Sequence, residues 1–290
     1  MNLRCVVDAK NELGETPLWC DTRQTVWWID IESPKLQSYE PATGRYTAHA
    51  FDTTFLGSVA LRADGSFLLA LDLSLYTFEP ATAALKLFAK VEDPATGNRL
   101  NDGRTDRQGR FWVGAMDIGL VNPKGGLYRI GTDGAVDKMA SGIKLPNSIG
   151  VSPDGRTLYC SDTRSYVLWA FDLDPLSGAV SNRRMLKDFT AHSDRPDGLC
   201  VDAEGFIWLA IFAGSRILRL APTGEVDRVV DLPVTNATCM CLGGADLRTL
   251  YISTARKYLT PEQIDREPWA GALLAMDVEV PGLPEVRFAG

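Results

Sequence analysis

The chain lacks any apolar run of about 18 residues, the length a membrane-spanning helix needs. Its first residues, Met1-Asn2-Leu3-Arg4-Cys5-Val6-Val7-Asp8, carry no apolar core of a secretion signal. Histidine is scarce, with only His49 and His192 in 290 residues. No Gly-x-Ser-x-Gly elbow offers a serine nucleophile. No glycine-rich phosphate loop appears either, because Gly125-Gly126 leads into a strand pattern and not a helix. Basic residues are outnumbered, 30 against 37 acidic, for a net charge of −7, which argues against a nucleic-acid partner. The six cysteines stand at 5, 20, 160, 200, 239 and 241. Without a secretion signal they are expected to be reduced, and the chain cytoplasmic. Cys239-Met240-Cys241 puts two thiols on one side of a strand, but no second pair or nearby His completes a tetrahedral zinc set. No Ser/Gly-rich linker divides the sequence, so residues 1–290 are expected to form a single domain.

What the chain does have is a repeat. An acidic turn containing Gly follows one short apolar run and precedes two more. The turn is clearest at Arg62-Ala63-Asp64-Gly65, Asp106-Arg107-Gln108-Gly109, Ser152-Pro153-Asp154-Gly155 and Asp202-Ala203-Glu204-Gly205. Weaker copies stand at Asp21-Thr22-Arg23-Gln24 and Gly243-Gly244-Ala245-Asp246. The four glycines are spaced 44, 46 and 50 residues apart. Several short strands per period of that length predict an all-β fold, a six-bladed β-propeller. The innermost strands are expected at 16–19, 58–61, 103–105, 149–151, 198–201 and 238–242. Residues 3–7 beside 286–288 are expected to close the ring. Thr260-Pro261-Glu262-Gln263-Ile264 predicts one short helix, with a Thr cap and Pro in the first turn.

The same phase of four repeats carries an acid or amide: Glu15 in Leu13-Gly14-Glu15-Thr16-Pro17, Asn101 in Arg99-Leu100-Asn101-Asp102-Gly103, Asn147 in Leu145-Pro146-Asn147-Ser148-Ile149, and Asp197 in Arg195-Pro196-Asp197-Gly198-Leu199. In a propeller, equal phase means equal height, so these four are expected to converge. Carboxylate and amide oxygens without sulfur suit a hard divalent cation such as Ca²⁺, Mg²⁺ or Mn²⁺. Asp102 is expected to support its loop. Asp64, Asp106, Asp154 and Asp202, at the other end of the innermost strand, are assigned turn chemistry only.

The motifs around these residues resemble the regucalcin (senescence marker protein)/gluconolactonase family. The resemblance runs through Leu13-Gly14-Glu15-Thr16-Pro17-Leu18-Trp19, Trp28-Ile29-Asp30-Ile31, Asn98-Arg99-Leu100-Asn101-Asp102-Gly103, Pro146-Asn147-Ser148-Ile149 and the stretch from Arg195 to Gly205, in order along nearly the whole chain. It implies a six-bladed propeller that hydrolyses sugar lactones with one divalent cation (Ca, Zn, Mn, Mg or Fe(II)). It places the metal ligands at Glu15, Asn147 and Asp197, and the substrate contacts at Arg99 and Asn101. One departure stands out. Val121 occupies a position where some members carry a substrate-binding Glu, so that contact is missing or comes from Asp117.

Lactone hydrolysis needs a polarised carbonyl, a deprotonated water and a stabilised oxyanion, and a cation serves the first and third. Asp197 is the expected general base, with a hydroxide on the cation as the alternative. Arg99 and Asn101 would orient the sugar. Trp19, Phe55 and Met116 are candidate apolar walls. The expected partner is a small sugar lactone from pentose or hexose catabolism, with no membrane partner, and the chain is a monomer or small homo-oligomer. Two other readings remain open: a calcium-binding regulatory propeller without turnover, and a phosphotriesterase-like propeller hydrolase.

Overall fold

A computed structural model describes residues 2–290. In chain order the strands are β1 (Arg4–Val7), β2–β5 (Gly14–Cys20, Thr25–Asp30, Lys35–Glu40, Arg45–Ala50), β6–β9 (Leu56–Leu61, Phe67–Leu71, Ser74–Glu79, Ala84–Lys90) and β10–β13 (Asn98–Thr105, Phe111–Asp117, Gly125–Ile130, Val136–Ile143). They continue with β14–β17 (Pro146–Val151, Thr157–Asp162, Val167–Leu173, Val180–Asp188), β18–β21 (Arg195–Val201, Ile207–Phe212, Arg216–Leu220, Val226–Asp231) and β22–β24 (Ala237–Gly243, Thr249–Thr254, Leu273–Asp277). Five consecutive quartets each form a four-stranded antiparallel sheet, and β22–β24 make the sixth with β1 at its outer edge. The fold class is a six-bladed β-propeller, as the repeat predicts. One helix, α1 (Pro261–Arg266), has the expected Thr260 cap, completed as a capping box by Gln263.

The chain forms two compact units of three blades each. One runs to Phe51 and resumes over Ala191–Glu285, and the other holds Asp52–Thr190 with Val286–Gly290. In the first, the innermost strands β2 and β18 both pack against β22. In the second, β6 and β14 both pack against β10. Within each unit the neighbouring blades share apolar cores. Trp208, Met240, Leu250 and Leu274 belong to one such core, and Leu68, Leu100, Phe111 and Phe288 to another.

The repeated turn has one geometry. Gly65, Gly109, Gly155 and Gly205 all adopt left-handed backbone, with φ of 87, 80, 72 and 86°. Each donates its N–H to the carbonyl three residues earlier. Glycine meets that φ without a Cβ clash, which is why it marks the period. In the weaker copy at 21–24 Gln24 holds the left-handed position instead, at φ 47°, and at the other Gly244 and the following Leu247 are left-handed, at φ 84 and 58°.

Two expectations are corrected. First, the N-terminal strand does not lie beside 286–288. β1 pairs antiparallel with β24, Arg4 opposite Ala275. Phe288 instead forms a parallel bridge to Arg62, donating its N–H to the Leu61 carbonyl and accepting from the Ala63 N–H. The reason is burial: Phe288 is fully enclosed, edge-on to Phe88, and such a side chain stabilises by roughly 1.5–3 kcal/mol on leaving water. Second, the innermost strands begin earlier than their alternation suggests. Each contains an extra residue near its start. Pairing slips between Glu15 and Leu18, Leu56 and Ser58, Leu100 and Gly103, Asn147 and Gly150, Pro196 and Leu199, and Ala237 and Cys239. A bulge breaks the two-residue period, so the pattern reads as a loop where the backbone is already strand.

Candidate active site

All five candidate residues lie inside the innermost strands and not in loops before them, four of them at these bulges and Arg99 in the regular pairing just before one, opposite Met116. Glu15 and Asn147 occupy the last paired position, opposite Ile29 and Ser161. Asn101 and Asp197 come one residue later, just past the pairs Leu100–Ala115 and Pro196–Ile211. The residues after Glu15 and Asn147, Thr16 and Ser148, are left-handed at φ 45 and 53°, unusual for side chains of this kind. A bulge re-aims a side chain out of the pleat, and each of the two bulge positions presents one acid and one amide.

In the first unit, Glu15 on β2 is 4% exposed and Asp197 on β18 is 5% exposed. A Glu15 carboxylate oxygen accepts from the Thr16 N–H at 2.9 Å. The Thr16 hydroxyl is buried with no hydrogen-bond partner among the described residues. Gly198, next to Asp197, lies so close to Cys239 of β22 that any side chain there would collide with its sulfur and Cβ. That glycine is what lets β18 settle against β22.

In the second unit, three candidates form one hydrogen-bonded chain. Arg99 donates to Asn101 Oδ1 at 2.7 Å and to its neighbour's carbonyl, that of Leu100, at 2.9 Å. Asn101 Nδ2 donates to Asn147 Oδ1 at 3.1 Å and to the Pro146 carbonyl at 3.0 Å. Asn147 Nδ2 donates to Thr163 Oγ1 at 3.2 Å. This fixes the amide: nitrogen toward Thr163, carbonyl oxygen toward Asn101. The Arg99 guanidinium sits over the Phe55 ring, 5.2 Å from its centroid, and Met116 lies opposite Arg99 on β11. Trp19, by contrast, is core, stacked on Tyr251.

Asp102 supports this region as expected. It is buried, and one carboxylate oxygen accepts from the Ile149 N–H at 2.7 Å, tying β10 to β14 beside Asn147. Burial pushes its carboxyl above the usual range, against the pull of that hydrogen bond. The sequence reading missed Thr16, Ser148 and Thr163; broken alternation next to Glu15 and Asn147 was the available signal.

The donor chemistry fits a hard divalent cation: two buried carboxylates, an amide oxygen with fixed orientation and no sulfur. Among the described residues no group of three His, Cys, Asp or Glu side chains stands ready to hold a metal. Cys239 and Cys241 are buried.

The description "SMP-30/Gluconolactonase/LRE-like region" fits residues 13–256 by comparison with protein families. The chain belongs to this family. It is 35% identical over 289 residues to a 6-deoxy-6-sulfogluconolactonase of Pseudomonas putida, spanning 99% of each protein. It is 31% identical over 297 residues to regucalcin of Gallus gallus, spanning 100% of this chain and 99% of the relative. A solved calcium-binding regucalcin from Agrobacterium tumefaciens superposes with a TM-score of 0.95 at 31% identity, covering 99% of this chain and 97% of that one.

In this SMP-30/gluconolactonase chain, Val121 is 71% exposed. Asp117, the nearby acid, is occupied by its own loop. One of its oxygens accepts from the Val121 and Asn122 N–H groups at 3.2 and 2.8 Å, and the other pairs with Lys124 at 3.1 Å. The four outer-turn acids do turn chemistry. Asp106 accepts from the Gln108 and Arg110 N–H groups, the Arg110 side chain and the Trp112 indole. Asp202 pairs with Arg219 at 2.7 Å, Asp154 accepts from Ser152 and Arg156, and Asp64 from Ser66 and Arg62.

Proposed function

We propose that this protein hydrolyses a sugar lactone to its aldonic acid, with a divalent cation held by Glu15, Asn147 and Asp197. The observation that carries this reading is the chain Arg99–Asn101–Asn147, which holds an amide oxygen in place beside a buried guanidinium. A bound cation would act as a Lewis acid toward the lactone carbonyl and the developing oxyanion. Asp197 takes the proton from the attacking water, since a positioned carboxylate is the available base. Arg99 and Asn101 hold the sugar hydroxyls and fix the ring against rotation. Phe55, under the Arg99 guanidinium, keeps that fork from swinging into water.

The lactonase named among the relatives supports the reaction class and suggests a hexonolactone as substrate. The calcium-binding regucalcin supports a divalent cation. A calcium-binding protein without turnover is the second reading, favoured by that same relative. Proton release on a panel of five- and six-ring aldonolactones, with and without Ca²⁺, Mn²⁺, Zn²⁺ or Fe²⁺, separates the two. Metal-dependent acid production on at least one lactone is expected. Calcium binding with no proton release on any lactone would exclude the lactonase reading.

A further inference from the structure

At the end of the fifth blade where β18 begins, a cavity of about 400 Å³ opens between the segment leading into β18 and the turn from β19 to β20. His192, Asp194, Arg195, Phe212, Ser215 and Arg216 are among the residues lining it. Arg216 is tethered. Its Nη2 donates to Asp194 at 2.6 Å and its Nη1 to the Gly214 carbonyl at 3.0 Å. That pair cancels its own charge.

Arg195 is different. Among the described residues its side chain has no hydrogen-bond or ion-pair partner, and His192 has none either. A guanidinium carries five donors in a planar fork that matches an oxyanion edge on. Here Arg195 is half-buried in a concave, mostly polar site, and no protein acceptor pairs with its fork. The wall around it is held in shape. Ser193, Ala213 and Ser215 are left-handed at φ 52, 59 and 53°, a conformation that persists only where the surroundings fix it. Arg195 stands two residues before Asp197 on the same strand, so cavity and proposed active site share one end of the blade.

We propose that this cavity is a subsite for an anionic substituent on the lactone, a sulfonate or a phosphate ester, received by the Arg195 fork with His192 as a second donor. The proposal rests on the lactonase reading. Asp194 does not oppose the anion, because Arg216 already holds it. A charge-assisted, two-pronged contact to a tetrahedral oxyanion gives both affinity and orientation.

The test compares kcat/KM for glucono-δ-lactone with that for its 6-phospho and 6-sulfo analogues; the two charged substrates tell phosphate from sulfonate. The unmodified protein is expected to prefer at least one charged lactone. Arg195→Met should cut that preference about tenfold, the scale of one charge-assisted hydrogen bond, through KM and not kcat. Arg195→Lys, which keeps charge without the fork and is the safer variant for folding, should cut it less. Calorimetric titration with glucitol 6-phosphate and glucitol reads the site without turnover. Only the phosphate is expected to bind, and binding should weaken in Arg195→Met. A protein that prefers the neutral lactone, or an Arg195→Met variant that loses equally on neutral and charged substrates, overturns the proposal. Inorganic phosphate binding as tightly as the sugar phosphate overturns the substrate role. If no lactone is hydrolysed yet Arg195-dependent binding persists, the lactonase reading fails and the anion subsite stands.

Discussion

Asn147 is the residue whose role depends most on its neighbours. Its amide is oriented by Thr163 on one side and Asn101 on the other, and Asn101 is oriented in turn by Arg99. Removing Asn101 releases this orientation without touching Asp197. Asn101→Ala is therefore expected to lower kcat/KM by about 10–100-fold, as losses of oriented supporting partners do, and to weaken the binding of metal measured by calorimetry. Asp197→Ala should abolish lactone hydrolysis, a loss on the order of 10²–10⁴-fold for a general base, while the far-ultraviolet circular dichroism stays that of an all-β chain. Chelation by EDTA should give the same loss, reversed by added cation. A chelated protein with full activity would sink the metal requirement. Sequence alone distinguished Asp197 from the turn acids by phase. It could not tell that Asp117 spends its carboxylate on residues 121, 122 and 124, because that needs the loop's path.

Among elements, the innermost strands do two jobs with one irregularity. The extra residue in each strand bends it and re-aims a side chain, and Glu15, Asn101, Asn147 and Asp197 all sit at that point. At the opposite end, the turns use acids to hold backbone. Asp106 is fully buried and satisfies two backbone N–H groups, an arginine and an indole. Asp106→Ala leaves the Arg110 Nε–H and the Trp112 indole without their acceptor and is expected to cost about 3–5 kcal/mol of stability by urea unfolding. KM for the lactone should not move. Hydrogen bonds from Ser152 and Arg156 hold the Asp154 carboxyl below its ordinary range. The Asn122 N–H, outweighing burial and helped by Lys124, does the same for Asp117. An acid lowered in the folded state stabilises it fully above its unfolded value of about 4 and loses that contribution as pH falls below it. The melting temperature should therefore drop between pH 5 and 3, and Asp117→Asn should make that drop shallower. An identical drop in the variant would remove Asp117 from the account. The outermost strands β5, β9 and β21 escaped the sequence pattern because water covers one side of them. Their exposed residues need not be apolar, so they leave little periodic signal.

For the molecule as a whole, β1 and the segment around Phe288 are tied down at different places. β1 is the outer strand on β24, and Phe288 plugs the core beneath Leu68 and Phe111. Deleting residues 1–8 should expose the β24 edge and lower the melting temperature sharply; an unchanged midpoint would show that β1 is dispensable. Phe288→Ala should cost about 3–5 kcal/mol, as for other buried aromatics. An exposed strand edge invites pairing with another chain, so the deletion variant should also aggregate, seen as light scattering during heating.

The sequence by itself determined the blade count and the turn geometry, and it picked out four polar residues that lie at the bulges of the innermost strands. Each is a local property: turn glycines need a left-handed φ, strands need alternating apolar residues, and a repeat carries the same phase with it. Only the tertiary structure decided which strand covers β24, where Phe288 is buried and which acceptor each acid and amide has found. It also decided that Arg195 has found none. Those outcomes depend on residues distant in the chain coming within hydrogen-bond or van der Waals reach, and no periodicity along the chain encodes that.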